Sequence, residues 1–259
     1  MVYGTRSGEA FDITAAGTLH DAYRFAQPGD QPARARLLMF PDFDGAHTPG
    51  AARLADAYSH ACHAEVILVD LYGKNHKPRG YDQRADSVIN HARANPLEVR
   101  ERLCEIKRKL EANWDSDAPL GAIGFCFGGS LAFELARADA SLRAAFSVHG
   151  DPSTEQPLTA AKSSTNFVII TGASDPFIAD ETLARFRFEA DAAKMQWQIL
   201  LIGHARHSFT KREIGQGNWA MRYDAYADDL ARSHVNTIIT LSDRETYSKA
   251  PPSYRILGG

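Results

Sequence analysis

The segment Gly124-Phe125-Cys126-Phe127-Gly128-Gly129 places a thiol between two glycines, each two residues away from it. It follows the apolar run Leu120 to Phe125 and leads into a helix candidate near Gly129-Ser130-Leu131. A nucleophile held on a sharp strand-to-helix turn needs this pattern, because side chains at the flanking positions would collide. The chemistry it predicts is acyl transfer through sulfur. The helix N-terminus beneath the turn is expected to lower the thiol pKa. The amide of Phe127, next in the chain, would face an oxyanion. The competing reading is a buried structural cysteine beside a glycine-rich turn.

A thiol nucleophile needs a base and a group to orient that base. Gly203-His204-Ala205-Arg206-His207-Ser208-Phe209 follows the apolar run Gln196 to Ile202 and offers His207, with His204 as its competitor. Thr171-Gly172-Ala173-Ser174-Asp175-Pro176 follows the run Asn166 to Thr171 and offers Asp175, with Asp180 nearby. Asp-Pro is also an ordinary turn initiator, and a chain with ten histidines has solvent-facing ones to spare. A fourth loop, Phe40-Pro41-Asp42-Phe43-Asp44-Gly45, occupies the place where folds of this kind supply a second oxyanion amide. Nucleophile, acid and histidine run in the order 126, 175, 207. That is the α/β-hydrolase order, and it differs from the orders of the two other common triad folds.

The elements that must position these residues read the same way. Short apolar runs over 35–40, 65–71, 120–125, 144–149, 166–171 and 196–202 lack polar alternation, as strands covered on both faces do. Helix candidates lie between and after them. One starts at Asn95-Pro96 and carries Val99, Leu103, Ile106 and Leu110 on one face. Others span 180–194 and 220–238. Ahead of the runs, Phe11 to Ile13 and Ala22 to Phe25 flank Gly17 and predict an edge hairpin. The expectation is one α/β-hydrolase domain over residues 1–244, a mostly parallel central sheet with helices on both faces, followed by a tail at 245–259.

Bulk properties narrow the function classes. A net charge of −3 gives no basic footprint for nucleic acid or an anionic membrane. Three widely spaced cysteines, Cys62, Cys104 and Cys126, make no CxxC pair, which argues against zinc ribbons, thioredoxin chemistry and a secreted disulfide scaffold. Reduced thiols and a cytoplasmic setting are expected. No apolar run reaches membrane-spanning length and no signal-peptide pattern opens the chain. The histidines form no HExxH pattern, so neither a metal nor an organic cofactor is expected. The partner expected is a small-molecule ester or lactone. The sequence carries no signal for an oligomeric state.

Together the elbow, Asp175 in Gly172-Ala173-Ser174-Asp175, and His207-Ser208-Phe209 resemble the dienelactone hydrolase family. Pro41-Asp42-Phe43-Asp44-Gly45, Val69-Asp70-Leu71-Tyr72 and Val148-His149-Gly150 fit as well, and the likeness runs from about residue 10 to 240. The resemblance implies a triad of Cys126, His207 and Asp175, preferring His207 to His204 because Ser208-Phe209 follows it. It implies oxyanion amides at Phe127 and Phe43, and Asp42 as the acid that holds the resting thiol. Two positions depart from the family. Dienelactone hydrolase has Glu where Asp42 stands. An arginine four residues after the histidine is replaced by Lys211, with Arg212 next to it. A second family arginine falls near residues 79–84, where Arg79 and Arg84 compete and Arg84 is carried forward. Substrate contacts are thus expected from Lys211, Arg212, His149 and Arg84. The alternatives are a general carboxylesterase or thioesterase on the same scaffold, and a non-catalytic small-molecule binding module.

Overall fold

In a computed structural model of the chain, described over residues 8–112, 114, 116–139, 141–160, 165–214 and 218–241, eight strands form one sheet. In chain order the elements are β1 (Glu9–Ala15), β2 (Thr18–Phe25), β3 (Ala35–Phe40), α1 (Pro49–Cys62), β4 (Ala64–Val69), α2 (Gln83–Ala94), α3 (Pro96–Glu111), β5 (Leu120–Phe125), α4 (Phe127–Ala138), β6 (Ala144–Val148), β7 (Asn166–Gly172), α5 (Asp180–Ala192), β8 (Gln196–Ile202) and α6 (Ala225–Thr240). The sheet order is β1-β2-β4-β3-β5-β6-β7-β8. The edge hairpin β1–β2 joins β4 antiparallel, and every later pairing is parallel. This is the α/β-hydrolase architecture. The tail expected at 245–259 lies outside the described residues.

Burial on both faces explains why the parallel strands read as unbroken apolar runs. Successive side chains of one strand point to opposite faces. Leu38, Phe40, Ile67, Val69, Ala122 and Ile169 pack with α2, α3, α4 and α5. Their neighbours Leu37, Met39, Val66, Leu68, Ile123 and Ile170 pack with α1 and α6. The predicted face of α3 is the buried one: Val99, Leu103, Ile106 and Leu110 all lie in the first of these cores. Pro49 stands in the first turn of α1, whose end is capped by Thr48, the hydroxyl accepting from the Ala51 amide at 3.3 Å.

Chain order turns the sheet at one point. From β3 the chain steps outward to β4, then returns past β3 to β5 and continues outward the other way to β6, β7 and β8. Loops after β3 and β5 leave in opposite directions at such a switch point and open a crevice above the strand ends. The helix expected over 220–238 begins only at Ala225, where Asp224 caps it by accepting from the Ala227 amide at 3.0 Å. Residues 220–224 are otherwise engaged. The Ala220 carbonyl accepts from the His207 amide at 3.2 Å, the Arg222 amide donates to the His207 carbonyl at 3.1 Å, and the Asp224 amide donates to the Phe209 carbonyl at 3.0 Å.

Candidate active site

Cys126 sits between β5 and α4 with φ 51° and ψ −116°, a conformation non-glycine residues rarely adopt and one that costs about 1–3 kcal/mol. The turn closes around backbone. A Cβ on Gly124 would lie 1.8 Å from the Gly128 carbonyl oxygen, and one on Gly128 would lie 2.2 Å from the Phe40 carbonyl oxygen. The glycines therefore let α4 begin directly under the thiol and against the end of β3.

His207 reaches the thiol from the loop after β8. Its Nε2 is 3.2 Å from Cys126 Sγ, and its Nδ1 is 2.8 Å from Asp175 Oδ2. Asp175, in the loop after β7, is buried, and its other oxygen accepts from the Phe177 amide at 2.8 Å. The arrangement assigns the tautomer: Nδ1–H donates to the carboxylate and Nε2 accepts from the thiol. The competitors lie elsewhere. His204 is exposed and pairs with Asp224 at 3.2 Å, and Asp180 is the exposed first residue of α5.

The helix N-terminus does not set the thiol pKa as the sequence predicts. Burial, followed by the charge of Asp42 and its hydrogen bond to the sulfur, pushes the thiol well above its ordinary value, against the pull of the Phe127 amide. The resting group is therefore a thiol. Burial also raises Asp42, with Lys211 opposing. The Phe43 amide donates to Asp42 Oδ1 at 2.6 Å, while the Phe43 carbonyl accepts from the Tyr72 hydroxyl at 2.6 Å. One of the two predicted oxyanion amides, Phe43, thus carries the side chain of its own neighbour. The other, Phe127, faces the sulfur.

Above the thiol lies a cavity of roughly 500 Å³ lined by Cys126, His207, Phe127, His149, Ser130 and Asp151, with Phe43, Tyr81, Ile89, Arg93, Phe177, Ile178 and Met221 around them. His149 lines the cavity and is fully buried; its Nε2 lies 3.0 Å from the Thr210 hydroxyl, while its buried Nδ1 has no hydrogen-bond partner among the described residues. Burial, then the nearby His207, holds its pKa well below the usual histidine value. Phe125 packs beneath the turn against Tyr58 and His149, whereas Phe127 forms wall.

The expected cationic contacts need correction. Arg84 is exposed outside the cavity wall, where its guanidinium donates to the Lys77 carbonyl at 3.5 Å. Arg212 is likewise outside and donates to the Tyr223 hydroxyl at 3.2 Å. Lys211 is not among the lining residues; its ammonium is 2.7 Å from Asp44, 3.5 Å from Asp42 and 4.5 Å from the centre of the Phe43 ring. The cation that does line the cavity is Arg93, on α2. Nothing in its local sequence marks it, because α2 is brought over the strand ends only by tertiary packing. Phe177, whose ring lies 4.9 Å from that of His207, follows Asp175-Pro176 directly and could have been sought there. Among the described residues no group of three His, Cys, Asp or Glu side chains is placed to hold a metal ion, and no helix is long and apolar enough to cross a membrane.

Comparison with known sequences gives a match to the profile of the dienelactone hydrolase family over residues 22–240. The chain belongs to the dienelactone hydrolase family. No curated protein matches it significantly. Among solved structures, a dienelactone hydrolase-like promiscuous phosphotriesterase from metagenomic libraries superposes with a TM-score of 0.76 at 26% identity, covering 92% of this chain and 98% of that one. A Klebsiella pneumoniae protein assigned as a dienelactone hydrolase gives 0.72 at 18% identity, with 91% and 98% covered. Dienelactone hydrolase from Anabaena variabilis gives 0.59 at 16%, with 90% and 98% covered. The latter two likenesses speak for the fold alone. Family membership makes this chain a carboxylic ester hydrolase of ester or lactone type.

Proposed function

We propose that the chain hydrolyses a small-molecule carboxylic ester or lactone through a thioester on Cys126, with His207 as base and Asp175 as the group that orients it. The observation that carries the reading is the continuous line from sulfur to imidazole to carboxylate, at 3.2 and 2.8 Å, on a strained turn at a cavity floor. Such a line moves a proton from sulfur to Nε2 while the carboxylate stabilises the imidazolium. The thiolate attacks the carbonyl carbon, and the carbonyl oxygen takes the negative charge facing the Phe127 amide. The Phe43 amide joins once Asp42 releases it. One such donor is worth roughly 3–4 kcal/mol of barrier. The imidazolium then protonates the leaving oxygen. In the second half, His207 takes a proton from water, hydroxide attacks the thioester carbon, and the thiolate leaves and regains its proton from the ring.

In this scheme Asp42 keeps the free enzyme in its thiol form, so that ionisation occurs only with substrate bound. Three free thiols fit a reducing, cytoplasmic setting. The test is a panel of a dienelactone, aryl esters and a thioester, assayed with wild type and Cys126→Ala. Wild type turns over at least one class, and the substitution lowers kcat by roughly 1,000-fold or more while the circular dichroism spectrum is unchanged. A folded Cys126→Ala protein that retains hydrolysis removes the sulfur from the mechanism. A wild type inert to every class, with its three thiols alkylated equally slowly, points to the binding module.

A further inference from the structure

The sequence offers three cations for a negatively charged substrate, Arg84, Lys211 and Arg212, and the structure commits all of them elsewhere. Arg84 and Arg212 lie outside the cavity wall with their own hydrogen-bond partners. Lys211 is closest to the chemistry and the most fully committed. Its ammonium bonds Asp44 at 2.7 Å, stands 3.5 Å from Asp42, and sits over the Phe43 ring. With both carboxylates ionised, Asp42, Asp44 and Lys211 carry one net negative charge beside the thiol. Arg93 and Asp151 also line the cavity, one charge of each sign, the Asp151 carboxylate accepting from Ser153. Most of the remaining wall is apolar or aromatic, Tyr81, Ile89, Phe127, Phe177, Ile178 and Met221 among it, with Ser130 and His149 as polar members. A substrate carboxylate entering there would lose water, find Lys211 already held by two carboxylates and approach Asp42, with Arg93 as the cation left on the wall.

We infer that Asp44 is a specificity-determining residue: by holding Lys211 it removes the cation nearest the thiol from substrate recognition and directs the site toward uncharged esters with an aromatic or branched apolar group. The inference rests on the reading of Cys126 as nucleophile and deepens it. Asp42 alone would leave Lys211 with one carboxylate partner at 3.5 Å. Asp44 supplies the shorter contact and completes the neutralisation. Asp44 comes from the same β3 loop that holds the Phe43 amide, so charge selection and oxyanion geometry are set by one turn.

The experiment compares two aryl esters of equal acyl length, one ending in a methyl group and one in a carboxylate, and reads the ratio of their kcat/KM values at low ionic strength. Wild type favours the uncharged ester by about tenfold or more, the scale of one charge interaction in a partly buried site. Asp44→Asn frees Lys211 and narrows that ratio by about tenfold, and added salt reverses part of the change. Asp44→Ser repeats the measurement with a different side chain should the asparagine disturb the loop. A wild type that handles the anionic ester equally well or better overturns the inference, as does a ratio unchanged in both variants. So does an anionic preference that disappears in Arg93→Met, since recognition would then belong to Arg93. No turnover of the uncharged ester by wild type also overturns it. The nucleophile reading is tested separately: if uncharged-ester turnover survives Cys126→Ala, that reading fails while the charge ratio remains measurable.

Discussion

At the scale of single residues, the site is a set of hydrogen bonds whose directions decide protonation. Asp175 accepts from His207 Nδ1–H, which leaves Nε2 without a proton and pointed at sulfur. Asp175→Asn keeps the shape but favours the wrong tautomer, and is expected to lower kcat roughly 10,000-fold with little change in melting temperature. A loss below tenfold would mean the carboxylate is not orienting the ring. Asp42 acts on sulfur in the opposite sense from the helix. Its negative charge raises the thiol pKa, so Asp42→Asn lowers it. The pH curve for alkylation of Cys126 by iodoacetamide should therefore move to lower pH, and labelling at neutral pH should accelerate. A curve that stays put or moves upward contradicts the assigned cause. The residues whose meeting was legible in the sequence are those placed by chain-local position: Cys126, Asp175 and His207 each stand in the turn or loop that follows an apolar strand. Arg93, Tyr81 and Met221 were not, because nothing local says that α2 and the stretch before α6 will close over the strand ends.

At the scale of elements, two devices keep the site rigid. The first is the turn from β5 to α4. Gly124→Ala would drive a Cβ to 1.8 Å from the Gly128 carbonyl oxygen, a backbone atom that cannot move without displacing α4. The expected result is a loss of several kcal/mol of stability together with activity. Unchanged urea unfolding would contradict the close approach. The second is a buried ion network. Arg137 on α4 forms two bonds to Glu189 on α5, at 2.9 and 2.8 Å, one to Glu134 at 2.9 Å, and one to the Pro152 carbonyl at 2.7 Å. Arg100 on α3 adds a 2.6 Å bond to Glu134. The network ties three helices to the loop after β6, which carries His149 and Asp151. Arg137→Met leaves two buried carboxylates short of a partner and is expected to cost about 3–5 kcal/mol, read as a lowered urea midpoint. Strands were legible because burial on both faces leaves an unbroken apolar run. The start of α6 was not, because the pairing of residues 220–224 with the histidine loop is a long-range choice.

At the scale of the whole molecule, pH enters through buried groups remote from the chemistry. His20 on β2 is fully buried, and burial, reinforced by Arg102, lowers its pKa from 6.5 to about 4. Between those values the unfolded chain binds a proton that the folded protein refuses. Stability is thus fully present above pH 6.5 and falls as pH drops toward 4. His20→Gln should flatten part of this acid-side decline in melting temperature; an unaltered slope would assign the decline to other groups. The hairpin that carries His20 and the doubly covered sheet serve one end: the loops after β5, β7 and β8 meet over the strand ends, where sulfur, ring and carboxylate form one line. The most direct test of that claim is intact-protein mass spectrometry of enzyme mixed with an aryl ester and quenched in acid within milliseconds. The expected result is a transient mass increase equal to the acyl group, mapped to Cys126 by peptide sequencing, labile to hydroxylamine and absent from Cys126→Ala. Turnover without any acyl adduct, or an adduct on another residue, would contradict it.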